Sequence, residues 1–293
     1  MMIDQFLDYL RYERRRSPRT VYRYGEVLKY YTDYLEERGD GLSWLSADAD
    51  VIRDWMEVMI DNKIKPATVN MRLSALRSFY RFALREGAVD VNPAAKVNGP
   101  KKEKALPQFV KASEMDRLLD ANCQEDDFKS LRARTLIIIL YETGMRRAEI
   151  VGLNDADIDF GQGQLKVTGK RDKQRIIPFG EEVAESLHRY ISARDNEVQR
   201  TTDALFVDNH GNRLTFDQLY KIVTTELSAV TTMKKRSPHV LRHSFATAML
   251  NNGAGIESVR QLLGHESLAT TEIYTHTTFE QLKEAYAQAH PRG

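Results

Sequence analysis

Cysteine is almost missing from these 293 residues. Cys123 stands alone, so no intrachain disulfide can form and a reducing, cytoplasmic setting is expected. Long apolar runs are missing too. The longest, Thr135-Leu136-Ile137-Ile138-Ile139-Leu140, falls far short of the ~20 residues a membrane-spanning helix needs and reads as one buried helix. No basic-then-apolar leader is visible at the N-terminus, so neither secretion nor a membrane partner is expected. A surplus of either charge is the third absence: 43 Lys and Arg against 42 Asp and Glu leave a net +1. That excludes a uniformly basic nucleic-acid binder. Internal repeats and low-complexity tracts are also lacking. What remains, 42% hydrophobic and 29% charged, describes a soluble globular protein with room for two ordinary domains.

Charge that balances overall is uneven locally. Residues 11–23 hold Arg11, Arg14, Arg15, Arg16, Arg19 and Arg23 against Glu13, and residues 166–175 hold Lys166, Lys170, Arg171, Lys173 and Arg175 against Asp172. Such runs are solvated faces or nucleic-acid contacts, and composition does not separate the two.

Hydrophobic spacing organises the first hundred residues as helices. Ser17-Pro18 is a cap followed by proline at the first helical position. Val21, Tyr24, Leu28, Tyr31 and Leu35 then form one stripe that Gly39 ends. Pro66-Ala67-Thr68 opens a second helix with Val69, Leu73, Leu76, Tyr80 and Ala83 on its stripe and Gly87 at its end, and Trp55 marks a helix between them. The expected product is a helical bundle over residues 1–97, with basic residues outside the stripes, Lys65 and Arg72 among them. Asn98-Gly99-Pro100-Lys101-Lys102-Glu103-Lys104, then Pro107, breaks the periodicity and reads as a linker over 98–107. Residues 108–293 form the second domain. Ser113-Glu114-Met115-Asp116 is a plausible helix cap there. Gln164 to Thr168 and Arg175 to Pro178 read as two strands around a cationic turn, Gly169-Lys170-Arg171-Asp172-Lys173. Helices follow at 182–193 and 215–227, and Ser237-Pro238 repeats the cap-and-proline start before a helix at 239–250. The fold class is mainly α, a helical bundle followed by a mostly helical mixed α/β domain carrying a small hairpin.

Three local patterns carry chemistry. In His239-Val240-Leu241-Arg242-His243, His239 and Arg242 share one face of a first helical turn, where free N–H groups and the helix dipole favour an anion such as phosphate. A core histidine beside a surface arginine would give the same letters. His239 and His243 also stand at a zinc-binding spacing, but Val240 occupies the place of the needed general base and Arg242 would repel a cation. No metal is expected. In Thr143-Gly144-Met145-Arg146-Arg147-Ala148-Glu149-Ile150, an arginine follows a helix-ending glycine and precedes a glutamate by three residues. A buried carboxylate there orients a guanidinium, which can then take two phosphate oxygens; a helix-end salt bridge would look similar. Finally, Leu263-Gly264-His265-Glu266-Ser267 precedes Ile273-Tyr274-Thr275-His276. A phenol with a pKa of roughly 10 becomes a nucleophile only beside an activated electrophile, and a phosphodiester neutralised by arginines is one.

Taken in order, Arg146, Lys170, His239, Arg242, His265 and Tyr274 resemble the tyrosine recombinase (phage-type integrase) family. Its pattern is an arginine after a helix-ending glycine, a lysine on a β-hairpin, H-x-x-R, a histidine and the tyrosine. The resemblance spans nearly the whole chain. The direct start on the helical bundle, Asn92-Pro93-Ala94 and the ending Ala289-His290-Pro291-Arg292 are similar to the Xer branch. Met145 and Val240 depart from the residues frequent at those places, neither at a catalytic position.

The resemblance implies a site-specific recombinase that needs no metal, nucleotide or other cofactor. Tyr274 would attack the scissile phosphate to give a 3′-phosphotyrosine, Arg146 and Arg242 would clamp the non-bridging oxygens, and Lys170 would protonate the leaving 5′-oxygen. His239 would assist proton transfer at the tyrosine, His265 would hydrogen-bond the phosphate, and Glu149 would orient Arg146. Arg14, Arg15, Arg16, Arg19, Lys65, Arg72, Arg171, Lys173 and Arg175 are the expected DNA contacts. The partner would be double-stranded DNA with specific core sites, bound by a homo- or hetero-tetramer on two sites. Exchange would run through a Holliday junction, with a second Xer-like recombinase and an accessory activator as further partners. The stripe Phe279, Leu282, Tyr286 and Ala289 is an amphipathic terminal helix that packs on its own domain or, as the family implies, docks in a neighbouring subunit. Chromosome-dimer resolution, integration of a mobile element, site-independent relaxation of supercoils and catalytically silent DNA binding stay open here.

Overall fold

The computed structural model describes residues 2–101, 109–121, 127–169, 173–264, 286 and 288–289. The chain divides into two compact units, Met1–Ala105 and Leu106–Gly293.

The first unit is helical. α1 (Met2–Asp8) runs into a π-helical turn (Tyr9–Glu13), followed by α2 (Pro18–Arg38), α3 (Ala49–Asp61) and α4 (Pro66–Arg85). Ser17 is extended and its hydroxyl accepts from the Thr20 amide at 3.2 Å. Gly39 stops α2 at φ +69°, a conformation that glycine adopts without steric cost. Asp48 caps α3 through the Asp50 and Val51 amides. Val21, Leu28, Tyr31 and Leu35 of α2 are buried with Trp55 of α3 and with Val69, Leu73, Leu76 and Tyr80 of α4. Tyr24 is only partly buried. Asn92-Pro93-Ala94 is tied to α4: Arg77 donates to the carbonyls of Ala94 and Val97, and Asn92 Oδ1 accepts from the Ala94 amide.

The second unit is built around one helix. α5 (Ala112–Ala121) precedes α6 (Phe128–Thr143), whose residues from Leu136 to Thr143 are all buried. A helix apolar on every side belongs at the centre of a domain, and α8 (Glu181–Glu197), α9 (Phe216–Val230) and α10 (Pro238–Asn251) pack around it. The buried Thr135 hydroxyl is satisfied by the Ser186 carbonyl and hydroxyl of α8. Between α6 and α8 lie α7 (Arg147–Gly152) and an antiparallel sheet of β1 (Ile158–Asp159), β2 (Gln164–Thr168) and β3 (Gln174–Pro178), in the order β1-β2-β3. Strand β1 pairs only two residues with β2, too short to show a period of two in the sequence. α11 (Ile256–Leu263) follows α10. Of the terminal stripe, Phe279 and Leu282 lie outside the described residues. Tyr286 and Ala289 pack on their own unit against Phe245, Met249, Val259, Leu262 and Leu263, and Tyr286 Oη donates to Glu142 Oε2 at 3.1 Å.

Two expected caps differ. α5 begins before Ser113, and the Lys111 amide donates to Glu114 Oε2 at 3.0 Å. The carboxylate reaches back and leaves the Ser113 hydroxyl no capping task. Ser237 sits at the start of α10, but its hydroxyl makes no cap and is buried without a hydrogen-bond partner among the described residues. There the Val240 amide is satisfied by the Ser237 carbonyl.

Candidate active site

The site forms where α6, α7, β3, α10 and α11 meet. α6 stops at Gly144, whose φ of +59° turns the chain; a Cβ there would meet the Phe245 ring at 2.5 Å and Leu263 at 2.9 Å. Arg146 then caps α7 in an extended conformation, and Glu149 reaches back along the first turn. Its Oε2 accepts from the Arg146 amide at 2.7 Å and its Oε1 from Arg146 Nη1 at 2.9 Å. The other end of the Arg146 fork, Nη2, donates to the Gly264 carbonyl at 2.7 Å.

Glu149 holds a second guanidinium. Arg175 Nη1 and Nη2 donate to its two oxygens at 2.6 and 2.9 Å, and Arg175 Nε donates to the Leu262 carbonyl at 3.3 Å. From α10, the buried Arg242 donates to the Gly144 carbonyl at 2.5 Å and to the Leu263 carbonyl at 2.6 Å. The C-terminal carbonyls of α11, which no intrahelical amide can satisfy, are thus the common anchor of three arginines.

The electrostatics follow from that crowding. Glu149 is 2% exposed. Burial pushes its carboxyl up, yet the hydrogen bonds and charge of Arg175, then those of Arg146, outweigh burial and hold it below the ordinary 4.5. Burial, followed by the charges of Arg146 and Arg175, pushes the Arg242 guanidinium down to about 10, still a cation at neutral pH. Three guanidiniums face one carboxylate. A partly buried positive surplus of this kind is costly unless an anion completes it, and guanidinium forks match the oxygens of a phosphate.

His239 stands in the first turn of α10, on the exposed side. Packing around the ring, then the charges of Arg147, Arg242, His243 and Lys235, lower its pKa from 6.5. The imidazole is therefore neutral at pH 7 and able to accept a proton. His243 is exposed one turn later, and among the described residues no group of three metal-ligating side chains converges.

Arg146, Glu149, Arg175, His239 and Arg242 are thus located in one unit. Lys170, Arg171, His265 and Tyr274 lie outside the described residues. Their flanks are described: the Gly169 amide donates to the Lys173 carbonyl at 2.7 Å, closing the hairpin below its tip, and Gly264, immediately before His265, ends α11 at φ +59°. Lys173 is exposed. In the first unit Arg14, Arg15, Arg16, Arg19 and Lys65 are exposed, with Tyr12 and Tyr22 among them, whereas Arg72 is half-buried, its guanidinium 4.9 Å above the Tyr30 ring.

Sequence reasoning missed the three carbonyl acceptors at Leu262, Leu263 and Gly264. Every residue carries a carbonyl, so no residue type could have marked them. It also passed over Arg147, whose charge bears on His239; the doubled arginine after Gly144 was the available signal.

Comparison with known proteins bears on what this geometry serves. Residues 108–281 match the phage integrase family and residues 3–87 match the phage integrase N-terminal SAM-like domain. The chain is 36% identical to the tyrosine recombinase XerC of Chlorobaculum tepidum, covering 99% of this chain and 94% of the relative. It is 35% identical to the tyrosine recombinase XerD of Oceanobacillus iheyensis, covering 99% and 98%. In fold it is similar to the XerH site-specific recombinase, solved bound to palindromic difH substrate in a post-cleavage complex. That likeness has a TM-score of 0.74 at 24% identity and covers 97% of this chain and 84% of the other.

Proposed function

Since this chain belongs to the phage integrase family of tyrosine recombinases, enzymes that break and rejoin DNA, we propose that Arg146 and Arg242 bind the scissile phosphate of a specific DNA site and that Tyr274 attacks it. The observation that carries this reading is the convergence of Arg146 and Arg242 on the Gly144, Leu263 and Gly264 carbonyls, with the Glu149 carboxylate already engaged at both oxygens by Arg175. It is a site for one anion, built within one residue of His265.

In this mechanism Tyr274 Oη bonds to phosphorus as the bond from phosphorus to the 5′-oxygen breaks, giving a 3′-phosphotyrosine and a free 5′-hydroxyl. His239, neutral at pH 7, takes the phenolic proton, and Lys170 on the hairpin tip protonates the departing oxygen. Arg146 and Arg242 neutralise the non-bridging oxygens as charge builds. Removal of one such donor in other enzymes costs about 3–4 kcal/mol of transition-state stabilisation. His265 hydrogen-bonds the phosphate, and Glu149 sets the Arg146 fork. The phosphotyrosine conserves the bond energy, so rejoining by the 5′-hydroxyl of another strand needs no nucleotide.

Residues 1–97 act as the core-site-binding domain, 98–107 as the linker and 108–293 as the catalytic domain; the terminal stripe, which covers its own unit through Tyr286 and Ala289 in the single chain, would leave that place to dock in a neighbouring subunit in a tetramer on two DNA sites. DNA contact falls to Arg14, Arg15, Arg16, Arg19, Lys65, Arg72, Arg171 and Lys173. Binding then weakens steeply with salt, because each neutralised phosphate releases counterions. The similarity to XerC and XerD supports an Xer-type role, resolution of chromosome dimers in the cytoplasm together with a second recombinase and an activator. Selecting bound DNA from the host genome tests that role: a site near the chromosome terminus supports it, and a site beside a mobile element refutes it.

The chemistry has a direct test. Tyr274→Phe is expected to bind the selected site with unchanged affinity and to give no denaturation-resistant protein–DNA adduct on a nicked suicide substrate. An adduct that persists in this variant sinks the mechanism.

A further inference from the structure

The hairpin carries a cation on its wrong face. In β2 and β3 the pairs Leu165–Ile177 and Val167–Arg175 stand across from one another, as do Lys166–Ile176 and Thr168–Gln174. Leu165, Val167 and Ile177 are buried, whereas Lys166, Thr168, Gln174 and Ile176 are exposed. The period of two therefore puts Arg175 on the buried side of the sheet. Its side chain is 18% exposed and its guanidinium faces into the protein.

What it meets there is specific. Both Nη atoms are taken by the two oxygens of Glu149, the same carboxylate that holds the amide and Nη1 of Arg146. Nε is taken by the Leu262 carbonyl. The guanidinium also lies against Gly264, where an added Cβ would meet three of its atoms at 3.1 Å. One planar fork thus touches the carboxylate that orients Arg146 and the backbone segment that leads into His265. It grows from the arm of the hairpin whose tip carries Lys170.

We propose that Arg175 is a positioning residue for strand cleavage: through Glu149, and through the Leu262–Gly264 backbone whose Gly264 carbonyl accepts from Arg146 Nη2, it sets the Arg146 fork without itself contacting DNA. The inference rests on the reading of Arg146 as a phosphate clamp. Three features single out arginine for the position. A lysine is one point charge and cannot span both carboxylate oxygens while also reaching a carbonyl. A neutral residue would leave Arg146 as the only cation hydrogen-bonded to Glu149 among the described residues. And Arg175 bears on the carboxyl of Glu149 more strongly than Arg146 does, so its loss frees the carboxylate to turn toward Arg146.

The experiment measures single-turnover cleavage of a suicide substrate, DNA affinity by gel shift, and thermal unfolding, for Arg175→Gln, Arg175→Lys, Arg146→Ala and the double variant Arg146→Ala with Arg175→Gln. Misplacing a catalytic group by about 1 Å costs on the order of 100-fold. Arg175→Gln is therefore expected to cleave roughly 100-fold more slowly while binding DNA with unchanged affinity, and Arg175→Lys to fall between it and the parent. The double variant is expected to be no slower than Arg146→Ala alone, because the two losses share one route. A second readout removes the need for the clamp. On DNA with a neutral methylphosphonate at the scissile position, the defect of Arg175→Gln should shrink; a general loss of structure would slow both substrates equally.

Fully multiplicative losses in the double variant, or undiminished cleavage by Arg175→Gln, overturn the proposal. So does a loss confined to DNA affinity, which would make Arg175 a DNA contact. If Arg175→Gln does not fold, the Arg175→Lys comparison on the two substrates decides, and an equal defect on both refutes positioning. Undiminished cleavage by Arg146→Ala would instead strike the proposed clamp itself, a failure distinguishable from that of Arg175.

Discussion

Replacing Glu149 with glutamine removes one charge from the centre of the site and almost no volume. The carboxylate takes four hydrogen bonds, one from the Arg146 amide, one from its Nη1 and two from Arg175. The amide of a glutamine turns a donor toward groups that are all donors, so some of these bonds must be lost, and among the described residues no other carboxylate pairs with the three guanidiniums. Breaking a buried ion pair by removing one partner costs about 3–5 kcal/mol. Arg146 is 38% exposed and can recover solvation, whereas Arg175 and Arg242 are far more enclosed. That argues for the lower end, about 3 kcal/mol. For a unit of this size the loss corresponds to a melting temperature roughly 6–12 °C lower.

The pH dependence is the sharper check. Glu149 has a folded pKa depressed below its ordinary 4.5, so the unfolded chain binds more protons around that pH. Its contribution is complete above the unfolded value and is lost as pH falls through the folded one. Thermal unfolding of parent and Glu149→Gln should show a constant gap between pH 6 and 8 that narrows below about 4.5. An unchanged melting temperature at pH 7, or a gap that widens in acid, would refute the reasoning.

Other expectations follow from the same geometry. Lys170→Ala should slow cleavage of ordinary DNA by about 10²–10⁴-fold, the range of general acid catalysis, and far less when sulfur replaces the leaving 5′-oxygen; equal losses on both substrates contradict proton donation. His239 must be neutral to accept the phenolic proton and its pKa lies below 6.5, so the second-order rate of adduct formation should be level around pH 8 and reach half its plateau only below pH 6.5. A decline already half complete at pH 7 would remove His239 as the base. Gly144→Ala places a Cβ against Phe245 and Leu263 in a left-handed conformation. Conformational strain and overpacking together should cost about 2–4 kcal/mol in urea unfolding, with cleavage impaired because the Gly144 carbonyl holds Arg242; full stability in this variant would show that the turn relaxes freely.

The helices of the first unit were legible because their signals are local. Ser17-Pro18, Gly39, Pro66 and the apolar stripes each act within a turn or two of where they stand, and the chain folds there as those residues dictate. The same holds for Gly144, which ends α6 at φ +59°; α11 and its end at Gly264 were not read from the sequence. The Ser237 cap failed for the opposite reason. Its side chain is buried by the surrounding unit, and tertiary packing overrode a local preference that the letters alone express. Glu114 displaced Ser113 as the cap of α5 because a carboxylate three residues inside the helix can reach back to the Lys111 amide.

The arginines divide in the same way. That Arg146 and Arg242 come together in one site was visible in the order of six positions along the chain, because each stands in a recognisable local phrase. That Arg175 differs from Lys173 was not visible, although both lie in one cationic run. The alternation along a five-residue strand decides which side chain faces inward, and only the pairing of β3 with β2 and the packing of both against α7 and α11 decide what an inward cation meets. Residue types, caps and stripes follow from short-range sterics and hydrogen bonding, so the sequence by itself determined most of the helices, the β2–β3 hairpin and the candidates for the reactive groups. Which carbonyls anchor the guanidiniums, and that one carboxylate serves two of them, depends on groups as far apart as Glu149, Arg175 and Leu262 coming together, and only burial in the tertiary structure brings them there.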